Sequence, residues 1–186
     1  MKINKYPTVN YIGNKENVTD WIIDSLPISQ GIVLDLFCGG CSVSYALKES
    51  GFKVISNDVL YSNFVLAKSI IENSSDVLAI SDYKNINIKL SDIEKKYLSI
   101  KSLFENKIYF DYEVKELANL TLIASKLKEY KNFMFLALLR RAMIRKIPYS
   151  RMNVKWEEIQ KFRDEAYSYA KYGRYRHYHN IPFIDH

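Results

Sequence analysis

The chain has 186 residues, 48% of them apolar and 26% charged, with a formal net charge of +6. That length suits one domain, or one domain carrying an insertion, and so much apolar content excludes wholesale disorder. Two cysteines, Cys38 and Cys41, are too few for a disulfide framework, no apolar run reaches the length of a membrane span, and Met1 to Asn10 has no apolar signal core, so a soluble cytoplasmic protein is expected.

Tyr11-Ile12-Gly13-Asn14-Lys15 is a short polar turn. After it Val18, Trp21, Ile22 and Leu26 recur at helical spacing, which predicts a helix over 15–26 with Pro27 just past its end. Gly31 to Phe37 is a compact apolar run, read as a strand buried on both faces as in a parallel sheet. The loop Cys38-Gly39-Gly40-Cys41 follows, then Ser42 as expected N-cap, a helix over 43–50, and Gly51 as its C-cap. A second strand over 53–56 ends at Asn57-Asp58, and a helix is expected over about 61–72. Strand, loop, helix, strand and helix in that order are the opening of a doubly wound α/β fold. Residues 73–89 are a polar connection, and 90–147 carry long helical patterns, the last over 133–147. The expected organisation is 1–72 as a ligand-binding half domain, 73–130 as a helical insertion, and 131–186 as a basic, Tyr-rich recognition segment.

The positive charge is localised. Between Arg140 and His179 there are 11 Lys/Arg against 4 Asp/Glu, whereas the rest of the chain has 16 basic and 17 acidic residues. All the excess therefore sits in one C-terminal segment, the footprint of a polyanion partner. Eight aromatics from Tyr149 to Tyr178 interleave with the charges. Arg and Lys neutralise phosphates, and aromatics stack on displaced bases. Trp156, Ile159 and Phe162 have the spacing of packing residues instead, while Tyr172-Gly173-Arg174-Tyr175-Arg176-His177-Tyr178 does not look like core.

A strand delivering Gly39 and Gly40 into a helix start lets bare backbone approach a ligand. Nineteen residues after Gly39, Asp58 ends the second strand, where a carboxylate can accept hydrogen bonds from ribose hydroxyls. The alternative for Asp58 is a helix N-cap or turn residue. Read from Phe37, the loop resembles the Phe-x-Gly-x-Gly motif that binds S-adenosylmethionine in Dam-like (alpha-class) adenine-N6 DNA methyltransferases. Tyr11 to Lys15 resembles the N-terminal Tyr-x-Gly-x-Lys motif of that family, Asn57-Asp58 its ribose-binding strand end, and Leu138 to Ala142 with 172–180 the DNA-recognition part of one branch. The resemblance implies a Rossmann-like S-adenosyl-L-methionine-dependent methyltransferase sheet with a largely helical DNA-recognition region, in a bacterial or phage-like setting. It implies that Tyr11, Lys15, Asp35, Phe37, Cys38, Gly39, Gly40 and Asp58 surround the cofactor. It also implies that Arg140, Arg141, Arg145, Lys146, Arg151, Tyr172, Arg174, Arg176 and His177 meet double-stranded DNA. The family's last motif glycine is Cys41 here, where a side chain is expected to narrow the pocket.

One family element is missing. The class holds the flipped adenine with Asp-Pro-Pro-Tyr, whose first and third residues accept hydrogen bonds from the adenine amino group. The four prolines here, Pro7, Pro27, Pro148 and Pro182, are nowhere adjacent, so no catalytic residue and no metal ligand is assigned in this chain. The expected arrangement is a cofactor- and DNA-binding subunit of a split enzyme, or the N-terminal half of a longer one, inactive alone, with the motif on a second chain or in the missing C-terminal half of the same protein. The competing expectations are an inactive DNA- or cofactor-binding module, and a thiol redox protein using Cys38 and Cys41, since a helix start lowers a thiol pKa.

Overall fold

A computed structural model of the chain describes residues 11–146, 155–164 and 183–185. Its described elements are a 3-10 turn Glu16–Val18, α1 Thr19–Asp24, β1 Ile32–Asp35, α2 Ser42–Glu49, β2 Lys53–Ser56, α3 Tyr61–Ala67 running on as a π turn Lys68–Glu72, α4 Ile80–Tyr83, α5 Leu90–Phe104, α6 Asp111–Lys126, α7 Glu129–Arg145, α8 Trp156–Asp164 and a 3-10 turn Phe183–Asp185. The chain divides into two compact units. One holds the described residues up to Leu78 with Glu129–Ala137, and the other holds Ala79–Lys128 with those from Leu138 onward. No helix among the described residues is long and apolar enough to cross a membrane.

The first unit is mixed α/β. β1 and β2 pair in parallel, with Leu34 opposite Ile55 and Asp35 opposite Ser56, and α2 is the crossover between them. β1 is shorter than the apolar run predicts, and one of its faces is open. Val33 and Asp35 are half-buried while Ile32 and Leu34 are exposed, and β2 repeats the alternation. On the covered face the Ser44 hydroxyl of α2 donates to Asp35 (2.7 Å) and accepts from Ser56 (2.8 Å). Val54 packs there against a cluster of Cys38, Cys41, Leu66, Ala67 and Ile71. The helices thus supply apolar cover to one side of the sheet alone among the described residues, which is why the expectation of two buried faces fails.

Both ends of α2 are set by local chemistry. Ser42 is its first helical residue rather than the N-cap. That position falls to Cys41, and the Ser42 hydroxyl instead accepts the Lys15 backbone N–H at 3.3 Å. At the far end Gly51 adopts φ +89°, and the amides of Gly51 and Phe52 close onto the carbonyls of Lys48 and Leu47. No atom lies within 4 Å of a Cβ built on Gly51, so Gly51→Ala tests the backbone alone. The expected cost is about 1 kcal/mol of unfolding free energy in a urea titration, the strain of a left-handed L-residue. Lys48 then ties α2 to the end of the α3 π turn, its ammonium donating to the carbonyls of Ile70 (3.2 Å), Ile71 (2.7 Å) and Asn73 (2.7 Å).

The second unit is helical among its described residues. α6 supplies its core through Val114, Leu117, Ala118, Leu120, Ile123 and Ala124, the stripe expected of a helix buried along one side. Tyr97 of α5 donates to Asp111 at the start of α6, and the Tyr109 hydroxyl donates to the Met143 carbonyl near the end of α7 at 2.9 Å. Ile159 is buried and Trp156 meets Phe110 edge-on at 5.0 Å between centroids, so these two behave as the packing residues their spacing suggested. The ends of α7 extend past the expected 133 start and stop short of 147, at Glu129 and Arg145.

Candidate functional site

The C-terminal ends of β1 and β2 meet at Asp58. The Gly39 N–H donates to its Oδ2 at 2.8 Å, while Oδ1 accepts from the Leu60 N–H at 2.9 Å and the Asn63 amide at 3.0 Å. Backbone bonds between the strand ends, Cys38 N–H to Asn57 O (2.9 Å) and Asn57 N–H to Asp35 O (2.8 Å), fix the loop on Asp58. Desolvation raises the Asp58 pKa, but hydrogen bonds from Leu60, Asn63, Gly39 and Val59 outweigh it and hold the carboxyl below the usual aspartate range. The turn role considered for Asp58 is therefore real, since it closes on Leu60. A carboxylate offers about four acceptor positions, and here Oδ1 takes the Leu60 and Asn63 donors while Oδ2 takes the Gly39 N–H.

Gly39 has φ +50°, and a Cβ there would lie 2.7 Å from Cε1 of Tyr11. The bare backbone is thus used first by the Tyr11 ring, a contact that glycine-loop reasoning did not anticipate. Gly39→Ala is expected to displace that ring and weaken ligand binding at the loop about tenfold, read by calorimetric titration, with circular dichroism confirming that the fold is retained. Lys15 is exposed, its ammonium donating to Gly13 O at 2.8 Å. Phe37 is 83% exposed, an apolar ring beside the loop with its face available. Gly40 is buried, and Asp35 is anchored by Ser44 as above.

Cys41 has φ +63°, which accounts for glycine in the related motif. Its side chain is fully buried with Cys38, Leu66, Ala67 and Ile71 rather than projecting beside the loop, so the narrowing expected from a side chain there does not come from this sulfur. The two sulfurs are 3.7 Å apart. The Cys41 thiol donating to it holds Cys38 below the ordinary thiol range, and that same bond, with burial, pushes Cys41 far up. Reactive redox cysteines sit in partly exposed, electropositive surroundings, whereas these are buried and face the charges of Asp35 and Asp58.

Sequence reasoning missed Asn63. It is completely buried, and its amide nitrogen reaches both Asp58 and the Tyr11 hydroxyl, the latter at 3.4 Å. Its Oδ1 is the one buried side-chain nitrogen or oxygen without a hydrogen bond among the described residues, a deficit that typically costs about 1–3 kcal/mol. The available signal was a polar residue on the apolar side of α3, three and four positions before the buried Leu66 and Ala67.

The expected DNA residues divide. Arg141 is exposed and Arg140 half-buried on α7. Lys146 is not a surface cation. Its ammonium is buried 2.6 Å from Glu113 Oε1 and 4.2 Å from the centre of the Phe183 ring, which corrects its assignment to a phosphate contact. Arg151, Tyr172, Arg174, Arg176 and His177 lie outside the described residues, as does the side chain of Arg145.

Comparison with known proteins places this geometry in context. The family model of the D12 class N6 adenine-specific DNA methyltransferases matches residues 11–181. The chain is 43% identical over 183 residues to the Type II methyltransferase M2.HphI of Haemophilus parahaemolyticus, an alignment covering 98% of this chain and 53% of the relative. The chain thus spans about half the length of that relative. No solved structure matches it.

Proposed function

The chain belongs to the D12 class of N6 adenine-specific DNA methyltransferases, and from that premise we propose that it is the cofactor- and DNA-binding subunit of a site-specific DNA adenine-N6 methyltransferase in a restriction–modification system. Enzymes of the class use S-adenosyl-L-methionine, which when bound supplies an electrophilic methyl group on a sulfonium. The observation that carries the reading is the cradle at the strand ends: an Asp58 carboxylate held there by hydrogen bonds, beside a glycine backbone and an exposed Phe37 ring. Those groups fit a nucleoside with a free ribose diol. Asp58 would hold the ribose, Phe37 would cover the base, and Tyr11 and Lys15 would lie toward the methionine end. Arg140, Arg141 and the basic, aromatic segment beyond them would meet the DNA backbone and the flipped base.

The adenine-holding Asp-Pro-Pro-Tyr is not among these 186 residues. We take it to be supplied by a complementary half, on a second polypeptide or in the same longer protein, that completes a Rossmann-like sheet. Ile32, Leu34 and Ile55 expose a shared sheet face at 63%, 53% and 51%, and Leu36, Phe37 and Val59 beside it are exposed as well. An apolar face of this kind marks an interaction surface, and an unpartnered strand edge invites pairing. The reading is tested by producing the chain alone and together with a polypeptide matching the other half of the relative, then measuring methyl transfer from labelled cofactor to DNA. Activity in the mixture alone supports it. A chain that binds DNA but stays inactive in the mixture would leave a binding module instead.

A further inference from the structure

Asn63 is not a residue that a fold needs at its position. An apolar side chain would fill the same buried space on α3 without leaving Oδ1 unpartnered among the described residues. What an apolar side chain would not do is donate from one nitrogen to two groups at the loop, Asp58 Oδ1 at 3.0 Å and the Tyr11 hydroxyl at 3.4 Å. These two groups come from positions 47 residues apart in the chain, one from the polar turn before α1 and one from the end of β2. The Tyr11 ring in turn lies on Gly39, whose N–H is the third hydrogen bond closing the circuit onto Asp58. The Asn63 side chain therefore hydrogen-bonds to both sides of the cradle.

We propose that Asn63 is a positioning residue for cofactor binding, fixing the Asp58 carboxylate and the Tyr11 ring together so that the two ends of the cofactor meet a cradle already set. This rests on the reading that the cradle takes S-adenosyl-L-methionine. Asn63 has no access to the ligand itself and acts through Asp58 and Tyr11.

The test is calorimetric titration of S-adenosyl-L-methionine into the full chain, with its completing polypeptide present, for wild type, Asn63→Ala, Asp58→Ala and the double variant. Asn63→Ala is expected to weaken binding about tenfold, the loss of one hydrogen bond to a charged group. In the Asp58→Ala background the same change is expected to cost less than threefold, because the group it acts through is gone. Equal losses in both backgrounds would overturn the proposal and leave Asn63 a packing residue. Asn63→Asp, which keeps the shape, guards against a variant that fails to fold. Its carboxylate beside Asp58 should weaken binding at pH 8 and restore it toward pH 5, where a shared proton again lets residue 63 donate. Binding by Asn63→Asp that is unchanged from wild type at both pH values would also overturn it. Absence of binding to wild type would instead defeat the functional reading on which the proposal stands.

Discussion

Asp58→Ala is expected to weaken S-adenosyl-L-methionine binding about 100-fold, with the chain still folded. The magnitude follows from two losses. A ribose diol donating to a carboxylate makes charge-assisted hydrogen bonds worth about 1.5–3 kcal/mol each, and each 1.4 kcal/mol is about tenfold in affinity. The second loss is order. Without the carboxylate, the Gly39 and Leu60 N–H groups lose this acceptor and the Asn63 amide keeps only the Tyr11 hydroxyl, so the loop is held to the strand ends by the backbone bonds of Cys38 and Asn57. Asp58→Asn separates the two. An amide oxygen can serve one side of the circuit but presents its NH2 group to donors on the other, so it should recover little affinity. Recovery to within threefold of wild type by Asn would show that charge is not what the site uses. The pH dependence follows from the lowered pKa. A carboxyl whose folded pKa lies below its unfolded value contributes fully above the unfolded value near 4 and loses that contribution as pH falls through the folded one. Cofactor affinity should therefore be flat from neutral pH down to about 5 and fall only in stronger acid.

The cradle was legible in the sequence because its parts are local. A β-branched run, a glycine pair and a helix of 3.6 periodicity lie within one βα unit, and Asp58 ends the next strand at a fixed offset. These features locate Gly39 and Asp58 without any tertiary knowledge, and the structure joins them by a hydrogen bond. What was not legible depends on contacts distant in the chain. Tyr11 over Gly39 and Asn63 beneath Asp58 leave no periodic trace, since a single Asn on a helix reads as an exposed residue unless its apolar neighbours are weighed. The open sheet face was hidden for a different reason. Ile32, Val33 and Leu34 are equally apolar, and composition alone does not say which of them a helix will cover. Charge counting had the same weakness. It ranks Lys146 with Arg141, although one is buried and the other exposed.

That difference between two cations of one helix end leads to the largest stability effect expected in the chain. Glu113 accepts the Phe110 N–H at 2.9 Å through Oε2 and the Lys146 ammonium at 2.6 Å through Oε1, with both side chains essentially inaccessible to water. The pair joins the start of α6 to the residue after α7, and Phe183 closes over the ammonium. Breaking a buried pair from one side strands a charge in a low-dielectric interior, typically a loss of about 3–5 kcal/mol. Glu113→Ala should show that loss as a lower urea midpoint. The double change Glu113→Leu with Lys146→Met should restore most of it, because two apolar groups carry no desolvation cost, although the Phe110 N–H then loses its acceptor. If the double variant were as unstable as the single, the fold would depend on the hydrogen bonds rather than on charge pairing. DNA binding separates the two cations further. Arg141→Ala should reduce the slope of log affinity against log salt by about one with stability unchanged, the signature of one phosphate contact. The Glu113→Leu, Lys146→Met pair should leave that slope intact, since neither charge is at the surface. A reduced slope in the pair would mean that Lys146 leaves Glu113 to meet a phosphate, and that the buried ion pair is broken whenever DNA is bound.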